Sequence, residues 1–343
     1  LSASRLGAML APMRTPLLFA ALAAGCAAPA PAPEARTATV VTFNSGTTEG
    51  LNHDAGPDDG YTDEHAVISD AWYGDGLAWV PVIDATRAFF DAVQPDVVVF
   101  QELFFPGNCP DIPAEFHPGF VCEGWQPGDL SVAERVLGPG WQVACHLGKE
   151  DKCAAVRRSF GAFAGCDDDL CLQGLDGARV PDCGSGSRVG RGVVELVDGG
   201  QITVVNVHGS SGLSGEDQRC RTAQFEQVFV DLDGAPAADG ARNLVLGDLN
   251  TDPGRLAGFD DSAARWLDFV PLKPGDGGFR FHTEVGPDVR ATYGGGINID
   301  HVVSDFADGA CWHAGSTPGH DLVTDARYFD HQPAVCDLSW TVE

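Results

Sequence analysis

A chain of 343 residues with 44% hydrophobic content can bury a sizeable core, which excludes a disordered protein. It carries 49 acidic against 21 basic side chains, a formal net charge of −28. No basic patch large enough to dominate nucleic-acid binding is visible, so any hold on phosphate has to come from a local site or a bound cation.

Arg14 precedes the apolar run PLLFAALAAGC and then AAPAPAPEA, the pattern of a secretory signal followed by a Pro/Ala tether. The run from Pro16 to Gly25 is too short to span a bilayer. The small residues before Cys26 resemble a bacterial lipoprotein signal, in which the cysteine carries the lipid anchor; simple cleavage to a soluble secreted protein is the alternative. The expected organisation is therefore a signal over 1–25 with Met13 as the true start, a lipidated Cys26 and tether over 26–36, and one domain over 37–343. The lipoprotein would sit at the bacterial outer membrane, cell surface or periplasm, as a monomer. Setting Cys26 aside leaves ten cysteines, an even number that suits five disulfides in an oxidising compartment. Cys166 and Cys171 bracket DDDL and could close a small loop, and Cys311 and Cys336 lie near two late strands.

TATVVTFN reads as a first β-strand. Residues 46–78 read as an insertion-like loop. In WVPVIDATRAFFDAV the spacing of Val82, Ala85, Phe89 and Val93 predicts a helix that stops before Pro95. DVVVFQE is a buried strand, and residues 105–187 read as a loop-rich region with seven cysteines. RGVVELVDGGQITVVNVHG predicts a hairpin turning at Asp198-Gly199-Gly200. SGEDQRCRTAQFEQVFVDL opens with a Ser-x-x-Asp cap and continues as a helix. NLVLGDLN, RATYGGG, NIDHVVSD and PAVCDLSW supply further strands. Helices and strands interleave without a strict βαβ repeat, which favours an α/β or α+β sandwich with mixed sheets.

The last polar residue of each strand forms a pattern: Asn44, Glu102, His208, Asp248 with Asn250, Asp300, and Asp330 with His331. Singly, each reads as a turn former or a hydrogen-bonded structural residue. Together they place carboxylates, amides and imidazoles at successive strand ends, where one sheet rim would gather them. Asp248 and Asn250 would share a face if the strand holds through Asn250. Competing chemistries lack their motifs: no G-x-S-x-G is present, Ser210 and Ser211 have no activating context, and CGSGSRVG has Val189 where a dinucleotide fingerprint needs its third glycine.

The order Asn44, Gln101-Glu102, Asn206-x-His208, Gly247-Asp248-x-Asn250, Ile299-Asp300-His301, Asp330-His331-x-Pro333 resembles the endonuclease/exonuclease/phosphatase superfamily, over nearly the whole chain after the tether. The resemblance implies a four-layer α-β-β-α sandwich of two packed mixed sheets with the site at one end. It implies hydrolysis of a phosphoester by an activated water, with Mg2+ or Mn2+. Glu102 is the hard carboxylate best suited to that ion, and by resemblance Asn44 and Asp330 complete its surroundings. Asp248 would hold or deprotonate the water and Asn250 would orient it or bind phosphate. His331 would contact the phosphate with Asp300 fixing its tautomer, and His208 would face the scissile phosphate. Either Asp248 or His331 can be the general base. By strand parity His301 belongs with Ile299 and Val303 and packs inward.

The substrate would be a phosphodiester. A nuclease is the first expectation, a sphingomyelinase-like phospholipid phosphodiesterase or phosphatase the second, and a non-catalytic surface binding protein the third. The phospholipid reading rests on the tether and on aromatics in LFFPG and at Trp125. The acidic clusters DAGPDDGYTDE and CDDDLC could hold structural Ca2+, although neither has EF-hand spacing.

Overall fold

The computed structural model describes residues 34–47, 52–54, 59–273, 278–294 and 296–342. Cys26, the expected signal and most of the tether lie outside them. Among the described residues thirteen strands alternate with six α-helices. The strands are β1 (Glu34–Asn44), β2 (Val97–Gln101), β3 (Trp141–His146), β4 (Lys149–Arg157), β5 (Gly161–Phe163), β6 (Leu170–Leu175), β7 (Val189–Leu196), β8 (Gln201–His208), β9 (Asn243–Asp248), β10 (Arg280–Phe281), β11 (Asp300–Ser304), β12 (Asp308–His313) and β13 (Ala334–Val342). The helices are α1 (Asp63–Ile68), α2 (Val80–Val93), α3 (Val132–Leu137), α4 (Gly215–Phe229), α5 (Pro253–Leu256) and α6 (Asp261–Phe269).

The strands form two mixed sheets, of seven strands in the order β12-β13-β1-β2-β4-β3-β6 and six in the order β10-β11-β9-β8-β7-β5. Each central strand is buried on both faces, and its alternate residues go to different cores. Val40, Val97, Val99, Val204, Leu244, Leu246 and Val302 meet between the sheets. Val41, Phe43, Val98 and Phe100 turn outward under α2 and α3, where Val82, Ile83, Phe90 and Val136 cover them. Val205, Val207, Val245 and Val303 turn outward on the other side against Phe225, Val228 and Trp266 of α4 and α6. The result is the four-layer α-β-β-α sandwich.

The same parity positions the site. Asn44 continues the inward series of β1, Gln101 that of β2, His208 that of β8, Asp248 that of β9, and Asp300 that of β11, so their side chains point into the seam between the sheets. Just below the rim Asn206 bolts the seam: its Oδ1 accepts from Gln101 Nε2 at 2.7 Å, and its Nδ2 donates to Phe100 O at 3.0 Å and Cys153 O at 3.2 Å.

Local signals behave as read in several places. Ser214 caps α4 with a capping box to Asp217, and the β7–β8 hairpin turns through Asp198-Gly199-Gly200. All ten remaining cysteines pair, as Cys109–Cys122, Cys145–Cys153, Cys166–Cys171, Cys183–Cys220 and Cys311–Cys336. Such a set belongs to an oxidising compartment. Among the described residues no helix is long and apolar enough to cross a membrane.

Four readings change. The region 105–187 holds four strands, β3 to β6, concealed because charged Lys149, Glu150 and Asp151 interrupt its apolar runs and because the disulfides, not hydrophobic period alone, order it. Within 46–78, Thr62 caps α1, which runs on into a π-helical turn over Ser69–Tyr73. The described residues of RATYGGG form no strand; Tyr293 makes an isolated bridge to His331. β1 begins at Glu34, so the last three residues assigned to the tether are already in the sheet.

Candidate active site

The rim residues arrive by different routes. Asn44 ends β1, His208 ends β8 and Asp248 ends β9, while Glu102 follows β2 with φ 60°. Asp300 instead begins β11, and His331 precedes β13. Both reach the same rim because β11 and β13 run antiparallel to their neighbours, with Asp300 directly opposite Asp248.

Asp248 is fully buried and is the hub. Its Oδ2 accepts from Asn44 Nδ2 at 3.0 Å and from Asn250 Nδ2 at 2.9 Å, and its Oδ1 accepts from the Asn250 N–H at 2.7 Å. The strand does not continue to Asn250 as the alternation required. It stops at Asp248, and Asn250 turns back at φ 52°, which brings its amide over the carboxylate more closely than an i, i+2 strand spacing would. Gly247 lets β8 approach β9 closely just before this turn: a Cβ there would lie 1.9 Å from Val207 O. The following turn is pinned by a buried pair, Arg221 Nη2 to Asp260 Oδ2 at 2.8 Å, whose carboxylate oxygen also accepts from Thr251 Oγ1 at 2.6 Å.

His331 Nδ1 donates to Asp300 Oδ2 at 2.9 Å, and its Nε2 lies 3.9 Å from Asp248 Oδ2. Burial works against a charge on the imidazole, but the carboxylates of Asp300, Asp248 and Asp330 outweigh it and push His331 up to about 10. Asp248 is raised to about 7, by burial first and by Asp300, against the opposing pull of His331 and its hydrogen bonds. His208 differs. Its Nε2 stands 3.3 Å from Glu102 Oε1 and 3.7 Å from Asp248 Oδ2, yet burial, and then the charges of Lys152 and Arg188, hold it well below the ordinary histidine range. The two histidines therefore do not both contribute positive charge: His331 is the cation and His208 is neutral. His301 is structural, held between Thr283 Oγ1 at 2.9 Å and Asn298 O at 3.0 Å on the outer face of its sheet.

A second group of acids lies across the rim. Asp330 is raised to about 6 by burial and by Glu102, against His331. Asp75, which the sequence reading did not single out, is raised to about 7 by burial and by Asp70, Glu102 and Asp330. Oδ1 of Asp75 and Oδ1 of Asp330 are both buried without a hydrogen-bond partner. Glu102 packs so closely on Gly46 that a Cβ there would lie 1.8 Å from its Oε2. Hard oxygen donors in this state fit a divalent cation of the Mg2+ or Mn2+ type. The set is more open than the Asp248, Asp300 and His331 group, whose ligand atoms all lie within 4.8 Å of one another and which could also meet an ion; there, however, His331 Nδ1 is already committed to Asp300. Asp75 could have been found from its place in YGDG, an acid between two turn glycines that adopts φ 54°.

Ser210 is tied to Gln224 through both its N–H and its hydroxyl, with no histidine partner. In the CDDDLC loop Asp169 is paired with Arg158 at 2.6 Å. Part of the DAGPDDGYTDE segment lies outside the described residues.

A two-sheet sandwich that gathers these acids, amides and a charged histidine at one rim defines the class of the phosphoester hydrolases built on this architecture. The chain belongs to the Endonuclease/Exonuclease/phosphatase family, whose model matches residues 51–325. Comparison with curated protein sequences found no match. Among solved structures, the human Nocturnin catalytic domain with bound sulfate anion aligns at TM-score 0.51 and 14% identity, covering 90% of this chain and 98% of that one. An endonuclease/exonuclease/phosphatase family protein from Bacteroides thetaiotaomicron aligns at 0.48 and 14%, covering 90% and 96%. Truncated Caenorhabditis elegans TDP2 aligns at 0.48 and 13%, covering 89% and 98%. At this identity the likeness is one of fold.

Proposed function

We propose that the protein is an exported, metal-dependent phosphodiesterase that cleaves nucleic acid with an activated water. The observation that carries this reading is the buried array in which Asp300 holds His331 by a hydrogen bond and His331 Nε2 stands 3.9 Å from the hydrogen-bonded Asp248–Asn250–Asn44 cluster, beside acids that keep an unpartnered oxygen. His331, charged and aimed by Asp300, donates to a phosphoryl oxygen and stabilises the charge that develops there. Asp248, raised toward neutrality, accepts the proton of a water that Asn250 orients. A divalent ion held by Glu102 and Asp330, with Asn44 and Asp75 beside them, would neutralise the phosphate and its leaving oxygen. His208, neutral and beside Glu102, faces the leaving side and offers a hydrogen bond without adding charge.

Export rests on the signal-like N-terminus and the five disulfides, and anchoring rests on Cys26. The phospholipid alternative loses part of its support, because Leu103 and Phe104 are buried core residues. The test is plasmid nicking by the oxidised, refolded protein. Nicking with Mg2+ that disappears with chelator and with His331→Ala is the expected result. Undiminished nicking by His331→Ala would refute the mechanism, and release of phosphocholine from sphingomyelin without nicking would select the lipid substrate.

A further inference from the structure

A cavity of about 470 Å3 opens on the His331 side of the rim, between the turn at 291–296 and the segment 314–333. Its volume lies in the ~300–1,000 Å3 range of pockets that enclose a drug-sized group. Ala291, Ala314, Leu322, Val323, Phe329 and Pro333 give it an apolar lining, and Tyr293, Asp330 and His331 join it to the reacting centre.

Its walls are pinned by hydrogen bonds and packing. Tyr293 forms an isolated bridge with His331, the Gly294 N–H donates to Asp330 O at 2.7 Å, and the Gln332 N–H donates to Thr292 O at 2.8 Å. These contacts hold the Tyr293 ring 4.9 Å from the His331 ring at a tilt of 48°. Phe329 packs edge-on against Phe43 with ring centroids 4.8 Å apart. On the far wall the Gly315 N–H donates to His320 O at 3.1 Å, and Leu322 folds so closely over Gly315 that a Cβ there would meet its Cδ2 at 2.2 Å.

Among the lining residues Asp325 and Asp330 are met by Arg327 and His331. This formal balance leaves no excess of charge to draw in a second phosphate, so the walls suit an uncharged group that gains by leaving water. That group needs a polar edge as well as apolar faces. Gln332 lines the cavity with a side-chain amide that makes no hydrogen bond among the described residues, and Tyr293 adds a hydroxyl. An acyl chain would cover both without pairing them, which is costly, whereas a nucleobase can pair them along its edge.

We propose that this cavity is a nucleoside subsite, which takes the base next to the scissile phosphate against Tyr293 and Phe329 and offers its polar edge the Gln332 amide. The proposal rests on the hydrolytic reading above and narrows its substrate to a strand whose base is unpaired or drawn out of its stack.

Four substrates test it with the full disulfide-bonded chain: a short single-stranded oligonucleotide, an abasic strand of the same length, methyl p-nitrophenyl phosphate, which carries no nucleoside, and sphingomyelin vesicles. Tyr293→Leu keeps an apolar side chain but removes the ring. It is expected to raise KM about tenfold for the base-bearing strand, the scale of one lost base stack, and to leave the abasic strand and methyl p-nitrophenyl phosphate unchanged. Leu322→Ala, at an exposed position, should raise KM about threefold for the base-bearing strand alone, and it keeps the test valid if Tyr293→Leu misfolds. Equal losses on every substrate, or wild-type-like kinetics on the base-bearing strand in both variants, would overturn the subsite. So would cleavage of sphingomyelin or methyl p-nitrophenyl phosphate with no cleavage of either strand. If nothing is cleaved, the hydrolytic reading fails separately. Fluorescence anisotropy with labelled strands then decides the subsite: it stands if the base-bearing strand binds about tenfold more tightly than the abasic one and Tyr293→Leu removes the difference, and it is overturned if the two strands bind alike.

Discussion

The two halves of the rim solve the problem of buried charge in opposite ways. On one side a charged His331 stands between Asp300, to which it is hydrogen-bonded, and Asp248 at 3.9 Å, while Asn44 and Asn250 donate to Asp248 and Asp300 Oδ1 keeps no hydrogen-bond partner. On the other, Asp75 and Asp330, with Glu102 beside them, each keep an oxygen without a hydrogen-bond partner and have raised carboxyl groups. The first half is organised by the chain alone. The second is organised by position only, and its chemistry calls for a cation from outside, since burying like charges without a partner is costly.

The largest effect is expected at Asp300, the charge partner of His331. Asp300→Asn should lower kcat by about 10²–10⁴-fold, the range of a lost acid–base element, and the alkaline limb of the pH–rate profile should move to lower pH because His331 loses its principal charge partner. A profile with an unmoved limb would separate His331 from Asp300 functionally. On the open half, Asp330→Asn should weaken Mn2+ binding by about 10–100-fold in a calorimetric titration, the range found when a metal's supporting groups are removed. The same substitution should leave the thermal stability of the chelated protein equal or higher, since it removes a repelled charge.

pH sharpens the contrast further. Asp330 and Asp75 are raised from 3.8 to about 6 and about 7. The stability they contribute is therefore complete below pH 3.8 and is lost as pH rises through 6 to 7. His331, raised from 6.5 to about 10, contributes fully below pH 6.5 and loses its contribution as pH rises through 10. The melting temperature of chelated protein should thus fall between pH 4 and 7, and saturating Mg2+ should flatten that fall if the ion lies among these carboxylates. The smallest effect is below the rim: Asn206→Ala removes the bolt between the sheets and should cost about 1–3 kcal/mol in denaturant unfolding, with metal affinity retained.

Much of this site was legible because strand parity is a local property. The alternation in TVVNVH and LVLGD already places Asn206, His208 and Asp248 on one face, and the same count groups His301 with Ile299 and Val303, away from Asp300; the face they share proves to be the outer one rather than the seam. Caps were equally readable: Ser214 and Asp217 are three residues apart and need nothing beyond their own helix. The even cysteine number foretold complete pairing, but the partners of Cys109, Cys145 and Cys183 depended on how the chain returns on itself.

Other features had no local signature. Asn250 reaches Asp248 through a left-handed turn whose next residue, Thr251, is held by Asp260 and Arg221, ten and twenty-nine residues from Asn250 in sequence. Asp75 became part of the acidic group only when β1, β2 and the loop before α2 met at one rim. Strands β3 to β6 were hidden by the charges that now line a cavity. The sequence by itself determined which residue types stand at strand ends and on which face, because a side chain's direction repeats every two residues. The tertiary structure alone decided which of them share a field, because charge and burial act across space, between residues the chain brings together only on folding.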